Sequence, residues 1–472
     1  MKKLLSYLTL SLLVACNAPQ EQDVSTAKEF PSTPPAGDTP RGFSLPERVE
    51  TTLDNGLRVV LIPWGDIPKA DVVLVTQAGY VHEQADEVWV SRLMARMMEE
   101  GSGKYSATEI ADTLAAMGGN LSVSVGRHTS SVTASVLYEF APNVVGILAD
   151  VLSNPALPES ELPRLKNDLN RQVNVAMSRP QTLVVDEFYK TLFPDHAYGR
   201  LYPAGGQIDG YTREDVKAFY DNNFGAKRTT LYVAGKFDVD AVTEAANKAL
   251  AGWAEGPAPS YPEVSVSATP GLQIIDRPGA VQSTLRMGLP VTDPGHPDYT
   301  AMSVTNSLLG GSFASRITSN IREDKGYTYS PFSTISDGKG MAIWFEQADV
   351  TTDVTAASII EINKEINRLR EEPPSEEELQ SIKNAEIGVF VLLNSSGSGL
   401  INQLIFMDYQ GLDESYLTGY VDRINAVTPE QVQQMTQQYI TPEQLTIVIA
   451  GDKKLVEQQL NDKKSELDLK VK

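Results

Sequence analysis

Four histidines, at positions 82, 128, 196 and 296, are the first side chains to ask for metal or acid–base chemistry. No two lie within five residues of each other, so no local pair can clamp a metal ion from one helix face. His82 is followed by Glu83, but no second histidine stands at helical spacing from either. The one cysteine is Cys16, which excludes an intrachain disulfide. Ser395-Ser396-Gly397-Ser398-Gly399 lacks the lysine and spacing of a phosphate loop and the frame of a nucleophile elbow; it reads as a flexible joint beside a helix. Arg92 and Arg96 lie one turn apart on a helix expected over Trp89–Glu100, opposite an apolar stripe of Val90, Leu93, Met94, Met97 and Met98. Glu99 and Glu100 sit three and four residues past Arg96, so a solvated face with local ion pairs is one reading. An arginine pair gripping a carboxylate is the sharper one.

The elements that must position these residues come in two sets. Glu161-Leu162 followed by Leu165-Lys166-Asn167 recurs as Glu378-Leu379 followed by Ile382-Lys383-Asn384. Thr212-x-Glu214-x-Val216 with Leu231-x-Val233-Ala234-Gly235 recurs as Thr428-x-Glu430-x-Val432 with Ile447-x-Ile449-Ala450-Gly451. Two ordered matches at nearly one offset argue for duplication of a unit of roughly 200 residues, a size within the usual domain range. Each copy opens with strand-like runs, Leu57–Ile62 and Val72–Val75 in the first, Leu272–Ile275 and Ser283–Leu289 in the second. A helix, alternating strands (Thr129–Leu137, Met341–Ala348), long helices and a last strand follow. Strands grouped apart from helices predict an α+β fold: two homologous lobes, each an antiparallel-rich sheet packed with helices, facing each other as a clamshell. The lobes are expected at 46–255 and 271–455. Gly256-Pro257-Ala258-Pro259 opens a linker at 256–270, and 456–472 reads as a charged, solvated tail.

The 472 residues include 40 Lys+Arg against 61 Asp+Glu, a net charge of −21 that argues against nucleic acid as a partner. Lys2 and Lys3 precede the apolar run Leu4–Ala15, too short for a mature membrane span and fit for a signal peptide at 1–15. Leu13-Val14-Ala15-Cys16 resembles the bacterial lipobox, which makes Cys16 a lipidation site, with Asn17 after it favouring the outer membrane. Residues 16–45, polar and rich in proline, read as a flexible tether to that anchor. The expected place is the periplasm of a Gram-negative bacterium, with membrane contact only through the lipid.

Leu53-Asp54-Asn55-Gly56-Leu57-Arg58-Val59-Val60 resembles the opening strand of the insulinase/pitrilysin-like metallopeptidases, which include the mitochondrial processing peptidases. Asp195-His196-Ala197-Tyr198-Gly199-Arg200, Asp276-Arg277-Pro278-Gly279, Leu309-Gly310-Gly311 and Ile321-Arg322-Glu323-Asp324-Lys325-Gly326-Tyr327-Thr328-Tyr329 are similar to that family too, in order, over about residues 46–455. The resemblance implies zinc proteolysis through an inverted H-x-x-E-H helix and a later carboxylate ligand. The aligned residues here are Arg92-Leu93-Met94-Ala95-Arg96. Arginine replaces both ligands, Ala95 replaces the general base, and the downstream ligand position falls near Gln172. A guanidinium stays protonated and offers zinc no lone pair. No cofactor is therefore expected on this chain, and no catalytic residue.

The resemblance also implies that the second lobe supplies an arginine and, seven residues on, a tyrosine that hold substrate; Arg322 and Tyr329 match that pair. Gly326 reads as a helix terminator, after which Tyr327 and Tyr329 should share one face of an extended strand. Some bacterial members divide the zinc helix and the Arg/Tyr pair between two chains. The expected role is thus the non-catalytic, substrate-binding subunit of a heterodimeric peptidase, with zinc on an H-x-x-E-H-bearing homologous partner and a peptide as substrate. A peptide-binding or structural scaffold lipoprotein is the alternative, and an autonomous zinc endopeptidase a lesser one.

Overall fold

The computed structural model describes residues 42–267 and 270–467. The signal peptide, Cys16 and the tether up to Arg41 lie outside the described residues. From Gly42 onward the chain forms one unit with two sheets. The first is built from β1 (Val49–Thr52), β2 (Arg58–Pro63), β3 (Lys69–Thr76), β4 (Ser122–Val125), β5 (Ser130–Leu137) and β6 (Thr229–Gly235), in the order β1-β2-β6-β3-β5-β4. The second has β7 (Gly271–Asp276), β8 (Gln282–Val291), β9 (Phe332–Gly338), β10 (Met341–Thr351) and β11 (Thr446–Gly451), in the order β7-β11-β8-β10-β9. Each sheet has a single parallel pair, β2 with β6 and β7 with β11; every other pairing is antiparallel.

The helices repeat in the same way. The first lobe contributes α1 (Val90–Met98), α2 (Ala141–Ser153), α3 (Leu162–Met177), α4 (Pro180–Leu192), α5 (Arg213–Asn223) and α6 (Val239–Leu250). The second contributes α7 (Thr355–Glu371), α8 (Glu376–Leu393), α9 (Gly397–Gln410), α10 (Pro429–Tyr439) and α11 (Lys453–Asp462). The sequence repeat is carried by matching start signals. Thr212 caps α5 in a box with Asp215, and Thr428 caps α10 in a box with Gln431, which satisfies amide donors that open every helix.

The lobes exchange a helix. α2 and α6 cover the outer face of the first sheet, but its inner face receives α9 from the second lobe. Reciprocally, α4 of the first lobe lies on β8 and β11 of the second. The central strands show why this is needed. In β6, Leu231 and Val233 point into the outer core while Tyr232 and Ala234 meet Ile401 and Leu404 of α9. In β11, Ile447 and Ile449 face one core while Val448 and Ala450 meet Val184 and Phe188 of α4. A strand that is apolar on both faces must be covered on both. The α8–α9 corner bends by 106°. Ser396 caps α9 there, and Gly399 lies so close to the Leu393 carbonyl that a Cβ would stand 1.9 Å from its oxygen. Ser395–Gly399 is therefore a tight corner built around a close approach.

Three expectations are corrected at the edges of the lobes. Residues 456–467 are not a free tail: Val456 and Leu460 sit on the buried face of α11, and Leu467 is buried with its carbonyl accepting from Asn363. An apolar stripe at i, i+4 inside a charged run is enough to dock a helix. The last residues assigned to the tether are packed as well, Phe43 against Phe390 with ring centroids 5.0 Å apart. The linker is pinned over residues 261–267: Tyr261, Val264 and Val266 join the α4 core, and the Ser267 amide donates to the Leu192 carbonyl.

Candidate functional site

α1 is the helix on which the chemistry turns. Val90, Ser91, Leu93, Met94, Ala95, Met97 and Met98 are all buried, leaving Arg92 and Arg96 on a narrow exposed strip. The two guanidinium groups do not converge. That of Arg92 lies 4.5 Å over the Trp89 ring, a cation–π contact, whereas Arg96 pairs with Glu99 at 3.1 Å. α3 packs across α1 and carries Gln172 on an exposed position; its Arg164 binds Glu100. Zinc does not fit these residues. Neither arginine has a lone pair to give, Ala95 has nothing to ionise, and Gln172 is no carboxylate. Among the described residues no three His, Cys, Asp or Glu side chains converge.

The neighbours His82 and Glu83 diverge. His82 Nε2 meets the Ser260 carbonyl oxygen at 2.8 Å and so holds the linker, and burial lowers its pKa. Glu83 turns into the protein and caps α1 from six residues upstream. One carboxylate oxygen accepts from the Trp89 amide at 3.0 Å, the other from the Ser91 amide at 2.9 Å and from the Ser91 hydroxyl. Trp89, the cap residue, is left-handed at φ 72°, an uncommon conformation for a bulky residue. Burial pushes the Glu83 carboxyl up to about 7, against the opposing pull of these donors.

The Asp195–Arg200 segment binds the lobes together. His196 accepts from the Tyr198 amide. The Tyr198 hydroxyl lies 2.6 Å from His128 Nε2 and accepts from the Lys339 amide of the β9–β10 turn. His128 stacks on Tyr409 of α9 at 4.8 Å, and its pKa is pushed down to about 3 by burial and then by Arg127. Arg127 is half-buried between the lobes, donating to the Tyr80 hydroxyl and the Asp337 carbonyl, both at 3.0 Å. These histidines therefore serve the joint between lobes, and His296 stands apart beside Asp298.

Arg322 and Tyr329 are brought together. Arg322 lies in a wide-turn helical segment, Ser319–Asp324, that Gly326 ends at φ 65°, with the Tyr327 amide bonded back to the Ile321 carbonyl. The helix stop is as expected. The extended strand after it is corrected: only Thr328 forms a bridge, to Val350, and the backbone bends at Tyr329. The Arg322 guanidinium is thereby held 5.0 Å over the Tyr329 ring and 4.4 Å over Phe313. Tyr329 is 80% exposed and Phe313 71% exposed. This pair can present a cation and a phenol to an outside ligand.

One feature escaped the sequence. At the N-terminal end of α1, Tyr80, Glu83, Trp89, Arg92, Arg200, Leu201 and Tyr202 enclose a cleft of about 130 Å³. Arg200 donates to the Glu83 carbonyl at 3.1 Å. Arg92, offered by the sequence as half of a carboxylate-gripping pair, lines it, but with Arg200 and not Arg96 beside it.

The first lobe matches the family model described as "Insulinase (Peptidase family M16)" over residues 58–202, and residues 210–386 match the one described as "Peptidase M16 inactive domain". An "Uncharacterized zinc protease YmxG" of Bacillus subtilis is 24% identical over 419 residues, covering 84% of this chain and 97% of its own. A Mycobacterium tuberculosis protein, also named an uncharacterized zinc protease, is 26% identical over 313 residues, 65% of this chain and 69% of that one. Among solved structures, a protease from Helicobacter pylori superposes with a TM-score of 0.81 at 18% identity, over 86% of this chain and all of that one (100%). A peptidase M16 inactive domain from Pseudomonas fluorescens gives 0.78 at 21% identity, over 86% and 98%. With both lobes matched in order and the two-lobed fold shared, this chain belongs to the insulinase family of peptidases.

Proposed function

We propose that this chain is the non-catalytic, substrate-binding subunit of a periplasmic heterodimeric zinc metallopeptidase. It would be anchored through Cys16 to the outer membrane and would help to hold and enclose peptides for a zinc-bearing partner. One observation supports the reading: α1 holds Arg92, Ala95 and Arg96 where a peptidase needs two imidazoles and a carboxylate, while a half-buried Arg322, paired with Glu323, lies against an exposed Tyr329. A guanidinium and a phenol offered together can donate to a peptide carbonyl and to the oxyanion that develops from it. Zinc and the attacking water would come from the partner's H-x-x-E-H helix.

The test mixes the purified chain with a homologous partner that bears H-x-x-E-H and follows peptide hydrolysis. Arg322→Ala should lower kcat/KM of the mixture by roughly a hundredfold, the usual cost of one oxyanion donor, and Tyr329→Phe should lower it less. Arg96→Gln, which loses only its bond to Glu99, should leave the rate alone. Equal rates with and without Arg322 would end the proposal.

A further inference from the structure

The cleft beside α1 is lined by two arginines whose bonding capacity the protein does not use up. Arg92 forms no hydrogen bond and no ion pair among the described residues; its guanidinium only rests on Trp89. Arg200 spends one nitrogen on the Glu83 carbonyl, and its Nε is buried without a partner. Glu83, the one carboxylate in the wall, makes no side-chain hydrogen bond or ion pair with either of them. Both of its oxygens are committed to the Trp89 amide and to the amide and hydroxyl of Ser91.

We infer that Arg92 and Arg200 form a subsite for a peptide carboxylate, either the C-terminal group or an Asp or Glu side chain. A planar guanidinium fork matches a carboxylate in two parallel hydrogen bonds. The cleft's volume of about 130 Å³ equals roughly four waters, enough for a carboxylate and the methylenes behind it. Tyr80, Trp89 and Tyr202 give those methylenes an aromatic wall. Of the two arginines on α1, only Arg92 takes part, since Arg96 points to Glu99. The inference rests on the peptide-binding reading above. It assigns to a position that lost a metal ligand a different task, the recognition of negative charge in the peptide.

The experiment titrates the purified chain with three versions of one ten-residue peptide: free C-terminus, C-terminal amide, and the amide with one internal Glu. Calorimetry gives the affinity, and Trp89 in the cleft wall gives a fluorescence signal. At least one charged version should bind more tightly than the neutral amide, and which one identifies the source of the carboxylate. Arg92→Gln should weaken that binding by roughly ten- to a hundredfold, to the level of the neutral peptide. Arg92→Lys should recover part of it, and Arg96→Gln should change nothing. A thermal melt of Arg92→Gln matching the parent's excludes a folding defect. Equal binding of charged and neutral peptides, or a charge preference that survives Arg92→Gln, overturns the subsite while leaving peptide binding intact. Equal binding of inorganic phosphate at the same site overturns it too, because a fork that takes any oxyanion does not select a peptide carboxylate. If no peptide binds in any form, the subsite and the peptide-binding reading fall together.

Discussion

Arg92 and Arg96 differ in what they touch, although their types and spacing are the same. Residue types alone exclude zinc from α1, because no geometry can make a guanidinium a ligand. The Arg96–Glu99 pair follows from spacing along the helix, but that Arg92 borders a cleft could not be read from the chain, since Arg200 and Tyr202 reach it from another segment. Glu346 shows the same limit. It stands in the apolar run Met341–Val350, fully buried, with both carboxylate oxygens short of a full hydrogen bond and Gly310 against them. Burial holds its pKa well above the ordinary 4.5, and only the nearby Phe332 amide opposes this. The folded protein keeps the proton that the unfolded chain gives up, so Glu346 costs stability progressively as pH rises above about 4.5. Glu346→Gln should therefore raise stability at pH 8 by about 1–3 kcal/mol, with the gap closing at pH 4.5. Denaturant melts at the two values check it, and an equal effect at both would contradict the assignment.

Among the elements, boundaries were largely legible. Expected strands at Leu57–Ile62, Ser283–Leu289 and Met341–Ala348 became β2, β8 and β10, and Trp89–Glu100 became α1 within two residues at each end. The signals there are local: period-two alternation and an apolar stripe. The strand after Gly326 failed because a β-rich local sequence does not reveal whether a neighbour strand is in reach, and only Thr328 finds one. Glycines on α8 and α9 separate local from tertiary demands. Gly388 lies exposed inside α8 with nothing within 4 Å of an added Cβ. Gly388→Ala should stabilise by about 0.5–1 kcal/mol, the helix-propensity difference. Gly399→Ala, aimed at the Leu393 oxygen, should cost about 1–3 kcal/mol, as overpacking does, and should loosen the corner. Thermal melts of both variants decide the point, and like signs would refute it.

For the whole molecule, duplication was visible in the sequence but the exchange of α4 and α9 was not. Its trace is the unbroken apolar run in β6 and β11, which states that both faces are covered without saying by what. Neither lobe is complete alone, for the inner face of each sheet needs the other's helix. Residues 46–255 and 256–467 expressed separately should each fail to give a cooperative melt, and expressed together should co-purify as a folded pair. Phe188→Ala, which removes a fully buried ring from α4, should cost about 3–5 kcal/mol and lower a single shared transition. Two independent transitions would show lobes that fold apart.

The same arrangement sets a timetable for synthesis. β6 completes the first sheet at Gly235, but the helix that covers its inner face begins only at Gly397. At about 5–20 residues per second, that interval lasts on the order of 10–30 s. A chain that closed its first sheet in that interval would carry an oily surface with no lid of its own, and a message cut short before residue 397 would leave that surface open.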